Sequence, residues 1–192
     1  MGKIIILGDA PFLREIEDKI NYVINRYYTI GINRVINHFN IQKHIFTDFS
    51  MIGCSNKYYD IPAITLYSHG DLVRKAHKEL INTFNYSEDG EIQKGGKLAW
   101  CGFTHDYALS YCISKGYKEV VLIGAADFVG DGHYSTPAEF KRSQKLQEKS
   151  INFINNVCTK YLDVYTCNPN SSLSVPRINI DELLLDEKEI IW

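Results

Sequence analysis

The chain lacks a charge excess of either sign. Its 192 residues carry 21 Lys and Arg against 23 Asp and Glu, a formal net charge of −2. That near-balance removes the electrostatic reason to expect nucleic acid or an anionic membrane as partner. Long apolar runs are missing too. The first one is confined to Ile4–Leu7, far too short for a signal peptide or a membrane span. Met1-Gly2 does not begin a myristoylation signal, because Ile6 stands where Ser or Thr is required. No CxxC pair occurs. Cys54, Cys101, Cys112, Cys158 and Cys167 form an odd, scattered set, which argues for a reduced, cytoplasmic setting and against a structural zinc. His38, His44, His69 and His77 show no metal-type spacing and read as structural or surface residues. There are no internal repeats and no low-complexity segment.

What is present describes one globular domain over residues 1–192. At 45% hydrophobic and 23% charged, a chain of this length buries roughly 70% of its unfolded surface. Thirteen tyrosines supply amphipathic side chains suited either to lining a pocket or to half-buried packing. "KIIIL" (Lys3–Leu7) is a buried strand stopped by Gly8, and "PFLREIEDKINYVIN" follows with helical apolar spacing and Pro11 in its first turn. "YYTIGIN", "KHIFTDF", "AITLYS", "EVVLIG" and "LDVYTC" are further strands. Helices are expected over "DLVRKAHKELINTF", "FTHDYALSYCISKG", the stretch from Pro137 to Cys158, and "DELLL". Asn85 to Gly96 is turn-rich and expected to form a mobile connection, the one lid candidate. Strands alternating with helices predict an α/β fold of the Rossmann-like kind, a mostly parallel twisted sheet covered on both faces. Ligands bind such sheets beyond the carboxyl ends of the strands. Gly8-Asp9, Asn33, Asp48, the loop after Gly124 and Asn168-Pro169-Asn170 all lie just past strand ends, so they should meet on one rim.

Several stretches resemble, in order, a Rossmann-like family. It includes Campylobacter-type bacterial sialyltransferases, archaeal hydroxymethyl-dihydropterin pyrophosphokinase and flagellin-glycosylation accessory proteins. "GDAP" is similar to the family's glycine-rich turn, "TIGIN" to its second strand ending in a nucleotide-facing asparagine, here Asn33. "IFTD" resembles its third strand, with Asp48 as the polar terminal residue. "CGFTHDYALSYCISKGYKEVVLIGAADF" resembles the helix–strand unit that closes the site, and "VYTCNPNSSL" the sialyltransferase "CPNS" segment. The resemblance implies a nucleotide or nucleotide sugar, CMP-linked donors included, as co-substrate. Gly8, Asp9 and Ala10, Asn33, Asp48, Gly102, Phe103 and Thr104, and Asn168, Asn170 and Ser171 would contact it. Backbone amides at a glycine turn or helix start are suited to phosphate. The turn departs from the family pattern: Asp9, Ala10 and Phe12 replace its second residue, second glycine and serine. A carboxylate facing a diphosphate repels it unless a cation intervenes, so Asp9, Asp48 and Asp127 are candidate Mg²⁺ ligands.

Catalytic expectations centre on "GDGHYS". His133 is the candidate base for an acceptor hydroxyl, Tyr134 a partner for a phosphate or leaving group, and Asp127 a third member; each has a plain loop or packing alternative. Asp131 is equally a turn residue beside Gly132. His105 is a secondary base candidate, and Asp106 favours its helix dipole whatever the function. Cys101 is best read as a small buried residue, and "KRSQKLQEK", with Arg142, as a solvated face. The expected function is a glycosyltransferase-like transferase acting on a small-molecule substrate by direct displacement, with self-association left open. The alternatives are Mg²⁺-dependent diphosphotransfer and a non-catalytic nucleotide-binding or sequestering protein.

Overall fold

The computed structural model describes residues 2–47, 63–66, 81–87, 97–99, 101–127 and 143–185. Eight strands join in one sheet: β1 (Lys3–Leu7), β2 (Tyr28–Ile32), β3 (Lys43–Phe46), β4 (Ala63–Leu66), β5 (Ile81–Ser87), β6 (Lys97–Ala99), β7 (Glu119–Ile123) and β8 (Asp163–Thr166). Their order is β6-β5-β4-β3-β2-β1-β7-β8, and every pairing among the described residues is parallel. Four α-helices are described: α1 (Glu17–Arg26), α2 (Thr104–Ser114), α3 (Gln144–Asn156) and α4 (Ile180–Leu185).

The pleat sends alternate side chains to opposite faces, and both faces are apolar. Ile4, Ile6, Ile30, Ile32, Val120, Leu122 and Val164 join one core with Tyr107 and Leu109 of α2 and Phe153 and Ile154 of α3. Ile5, Leu7, Val121 and Ile123 join the other with Ile20, Val23 and Ile24 of α1 and Leu183 of α4. This explains why the central strands read as unbroken Ile, Val and Leu runs rather than as alternating ones. α2 is buried from Thr104 through Cys112, so it serves as core rather than as a surface helix. α4 is tied to α1 by Lys19–Asp181 (2.6 Å), by the Tyr27 hydroxyl donating to the Leu183 carbonyl (2.9 Å), and by Arg26 donating to the Leu184 carbonyl. At the end of β8, Thr166 forms a parallel bridge with Arg177. Its N–H donates to the Pro176 carbonyl and its carbonyl accepts from Ile178.

The sheet differs from the sequence reading in three places. The stretch after Pro11 is a 3-10 turn over Pro11–Glu15, and α1 begins only at Glu17. Ile81–Phe84, expected at the end of a helix, and Asn85–Ser87, expected in a mobile connection, form β5. Its Ile, Thr, Phe and Tyr content suits a strand, and pairing with β4 and β6 on either side supplies the ladder that helical spacing ignored. β6 was not anticipated, being three residues long. The rest of that helix and the remainder of the connection lie outside the described residues. Of the tyrosines, Tyr27, Tyr107 and Tyr111 are buried and Tyr22 and Tyr161 exposed. Lys43 donates to the Tyr111 hydroxyl at 3.1 Å, at the end of the sheet opposite the expected rim.

Leu122 is fully buried between β1 and β8. Leu122→Ala should cost about 2–5 kcal/mol, read as a lowered urea midpoint, whereas Tyr22→Ala on the exposed face of α1 should change stability by less than about 0.5 kcal/mol.

Candidate functional site

The strand order reverses between β1 and β7: the chain runs outward from β1 to β6 on one side, then returns to β7 and β8 on the other. The carboxyl ends at such a reversal open a crevice. Here two turns meet there. The Gly8 N–H donates to the Ile123 carbonyl (2.8 Å) and the Ala10 N–H to the Gly124 carbonyl (3.1 Å). A Cβ on Gly8 would stand 2.1 Å from the Gly124 carbonyl oxygen, so only glycine permits this approach. Gly124 (φ 60) and Ala126 (φ 57) bend the chain after β7 in the left-handed region, leading to Asp127, which is buried. All four carboxylate oxygens of Asp9 and Asp127 are buried. The Asn168 loop joins the same clasp, because the Ser172 N–H donates to the Asp127 carbonyl at 3.2 Å. Within that loop the Asn168 Oδ1 accepts from the Asn170 N–H (2.9 Å) and the Ser171 Oγ from the Leu173 N–H (3.3 Å). Arg177 donates to the Pro169 and Ser171 carbonyls, both at 3.0 Å. Asn168 and Ser171 are buried; Asn170 is exposed.

A second group stands on the adjoining strands. Leu7 pairs with Gly31, so Asp9 and Asn33, each two residues further on, follow neighbouring strands. Asn33 has φ 50. Its Oδ1 accepts from the Thr104 hydroxyl (3.0 Å), which in turn accepts from the Thr47 hydroxyl (2.6 Å). Its backbone carbonyl lies 2.9 Å from the His44 Nε2. The ends of β2, β3 and the start of α2 are thereby joined by side chains.

The start of α2 is held from within. The Phe103 N–H donates to Asp106 Oδ2 (3.2 Å), and Ser150 of α3 donates to Asp106 Oδ1 and lies 2.9 Å from His105 Nε2. Gly102, at φ 121, packs against Leu146 of α3, which a Cβ would meet at 2.9 Å. Asp106 is fully buried, and burial pushes its carboxyl up to about 7, against the opposing pull of Ser150 and the Phe103 and Cys101 amides. At the helix start Asp106 thus acts through the hydrogen bond it accepts from the Phe103 N–H rather than through a charge facing the helix dipole, and it locks α3 to α2 as well. Cys101 is buried with its thiol pushed up to about 12, chiefly by burial, which leaves no thiolate for chemistry at neutral pH.

The sequence-predicted residues thus fall into two adjoining groups, Gly8, Asp9, Ala10, Asp127, Asn168 and Ser171 in one and Asn33, Phe103 and Thr104 in the other. The amides of Gly8, Ala10 and Phe103, expected to meet phosphate, instead hold the rim together within the chain. Asp48, Asp131, His133, Tyr134 and Arg142 lie outside the described residues. Among the described residues no group of three or more His, Cys, Asp and Glu is placed to hold a metal ion, and no helix is long and apolar enough to cross a membrane. Sequence reasoning missed Thr47 and His44. The signal for Thr47 was its place immediately before Asp48; His44 carried none, sitting mid-strand.

Two substitutions probe this framework. Gly8→Ala should lower stability by at least about 1–3 kcal/mol, because a backbone carbonyl rather than a flexible side chain blocks the new methyl; thermal melting reads it. Asp106 favours its protonated form in the fold, so its contribution is full below the ordinary carboxylate range and is lost as pH rises toward about 7. Asp106→Asn, uncharged throughout, should flatten the fall in urea midpoint between pH 4.5 and 7.5.

Neither a family model nor a curated protein sequence matches the chain. Among solved structures, the fold is similar to the MAf glycosyltransferase from Magnetospirillum magneticum AMB-1. The TM-score is 0.68 at 12% identity, over 93% of this chain and 34% of that one. The chain therefore spans about a third of that protein's length, and the likeness is one of α/β fold.

Proposed function

We propose that this chain is a glycosyltransferase-like domain that binds a nucleotide or nucleotide sugar at the carboxyl-end rim. The observation that carries it is the gathering of Asp9, Asn33, Thr104, Asp127 and Asn168 around a strand-order reversal. A fold shared with a glycosyltransferase supports the same reading at the level of architecture. In it, Asn33 and Thr104 hold the base or ribose, and Asn168, Asn170 and Ser171 the sugar or base. His133 takes the proton from the acceptor hydroxyl as that oxygen bonds to the anomeric carbon. The bond from that carbon to the phosphate oxygen breaks, and the nucleotide leaves with the electron pair, met by Tyr134. CMP-linked donors are the first to try, given the resemblance of the Asn168 segment to the sialyltransferase pattern.

A second reading is favoured by the four buried carboxylate oxygens on two hydrogen-bonded turns. Asp9 and Asp127, joined by Asp48, would hold Mg²⁺ and with it a diphosphate. When bound, the ion would offset phosphate charge, which suits diphosphotransfer; the same pocket without turnover would make a nucleotide-sequestering protein.

Thermal shifts with a nucleotide panel, with and without Mg²⁺, separate these. A ligand at 100 times its Kd adds about 2.7 kcal/mol. A shift that needs no metal supports the first reading, one that appears only with Mg²⁺ and vanishes in Asp9→Asn the second, and no shift with any nucleotide sinks both. His133→Ala should lower sugar transfer by about 10²–10⁴ while leaving nucleotide affinity in place; transfer at the unaltered rate would remove its role.

A further inference from the structure

His44 is a polar ring with no evident reason to be where it is. It is fully buried on β3. Its ring stacks on Phe46, centroids 5.0 Å apart, and Phe46 belongs to the apolar core shared by α1 and α4. Burial alone would be served at least as well by Phe or Leu, since a buried polar group is costly unless hydrogen-bonded. What His44 adds is directional. A carbonyl oxygen only accepts, so the 2.9 Å contact with Asn33 makes Nε2 the donor and fixes the tautomer. Burial pushes the imidazole down to about 3, opposed by that same hydrogen bond, so the ring is neutral and donates at any pH near neutrality.

The recipient is one of two described non-glycine residues with positive φ, the other being Ala126. Asn33 has φ 50, in the left-handed region that most side chains avoid and that asparagine enters more often than they do. It is gripped at two points, main chain by His44 from β3 and side chain by Thr104 from α2. Fixing both leaves the asparagine one orientation at the rim.

We propose that His44 is a positioning residue: by donating to the Asn33 carbonyl it holds the left-handed turn at the end of β2 and so sets the orientation in which Asn33 meets a bound nucleotide. The second half of this rests on the nucleotide reading above; the first half does not.

Three variants test it. His44→Phe keeps an aromatic ring beside Phe46 and removes the donor to Asn33, His44→Leu removes both ring and donor, and His44→Gln restores an N–H near the position of Nε2. The three-bond HN–Hα coupling of Asn33 in ligand-free protein reads its φ. It should move toward the extended value in the Phe and Leu variants and return with Gln; an unchanged coupling in either apolar variant overturns the proposal. Calorimetry with CMP gives the second readout. Affinity should fall about tenfold in the Phe variant, the size of one lost hydrogen bond, and Gln should recover most of it. Equal affinity in Phe and unsubstituted protein, or equal loss in Phe and Gln, counts against the positioning role. Unsubstituted protein that does not bind CMP sinks the CMP-linked donor reading instead, and the coupling still decides whether His44 holds Asn33.

Discussion

The contact between Gly8 and the Gly124 carbonyl is the constraint on which the rim depends. Two parallel strands already stand at fixed spacing; what is special is that their outgoing turns close on one another before diverging. A side chain at Gly8 would force them apart. With them clasped, Asp9 and Asp127 both leave from the joined turns with their carboxylate oxygens buried, and the loop after β8 is drawn in through Ser172. The glycine here is therefore a packing residue of the framework, and the amides beside it are spent on framework bonds. Any phosphate bound at this rim has to be met by other donors.

Polar groups at the second half of the rim are organised differently. Asn33, Thr104 and Thr47 form a relay of hydroxyl and amide groups in which each oxygen that accepts has a donor assigned. Asp106, Ser150 and His105 form a buried cluster between α2 and α3. Removing a partner from such a network strands a buried polar atom, so the two helices are held in one relative placement. The cluster thereby holds α3 to the start of α2.

Much of the fold was legible because the physics was local. Lys3–Leu7 and Glu119–Ile123 read as strands from apolar runs rich in Ile and Val, Tyr28–Ile32 reads as one despite Gly31, and α2 from Thr104 to Ser114 reads as a helix although it is buried nearly all round. β5 was not legible. Ile81–Phe84 continues a helix-like pattern and Asn85–Ser87 reads as turn-rich, and the strand identity of the whole comes from neighbours on both sides that sequence spacing does not encode. The adjoining placement of Asp9 and Asn33 was inferable from strand ends alone. The engagement of the Gly8 and Ala10 amides was not, since it depends on how closely a turn more than a hundred residues away approaches. His44 reads as a structural or surface residue; its burial selects the first, and nothing in "KHIF" reveals its bond to Asn33.

The bridge between Thr166 and Arg177 gives β8 a property that a strand at the margin of a sheet does not have by default. Marginal strands offer a row of open donors and acceptors that a foreign strand can adopt. At Thr166 that outward N–H and carbonyl are already taken by Pro176 and Ile178 of the same chain. A second copy seeking to extend the sheet from this side would first have to peel that segment away, so association through continuous β-pairing is discouraged at this margin.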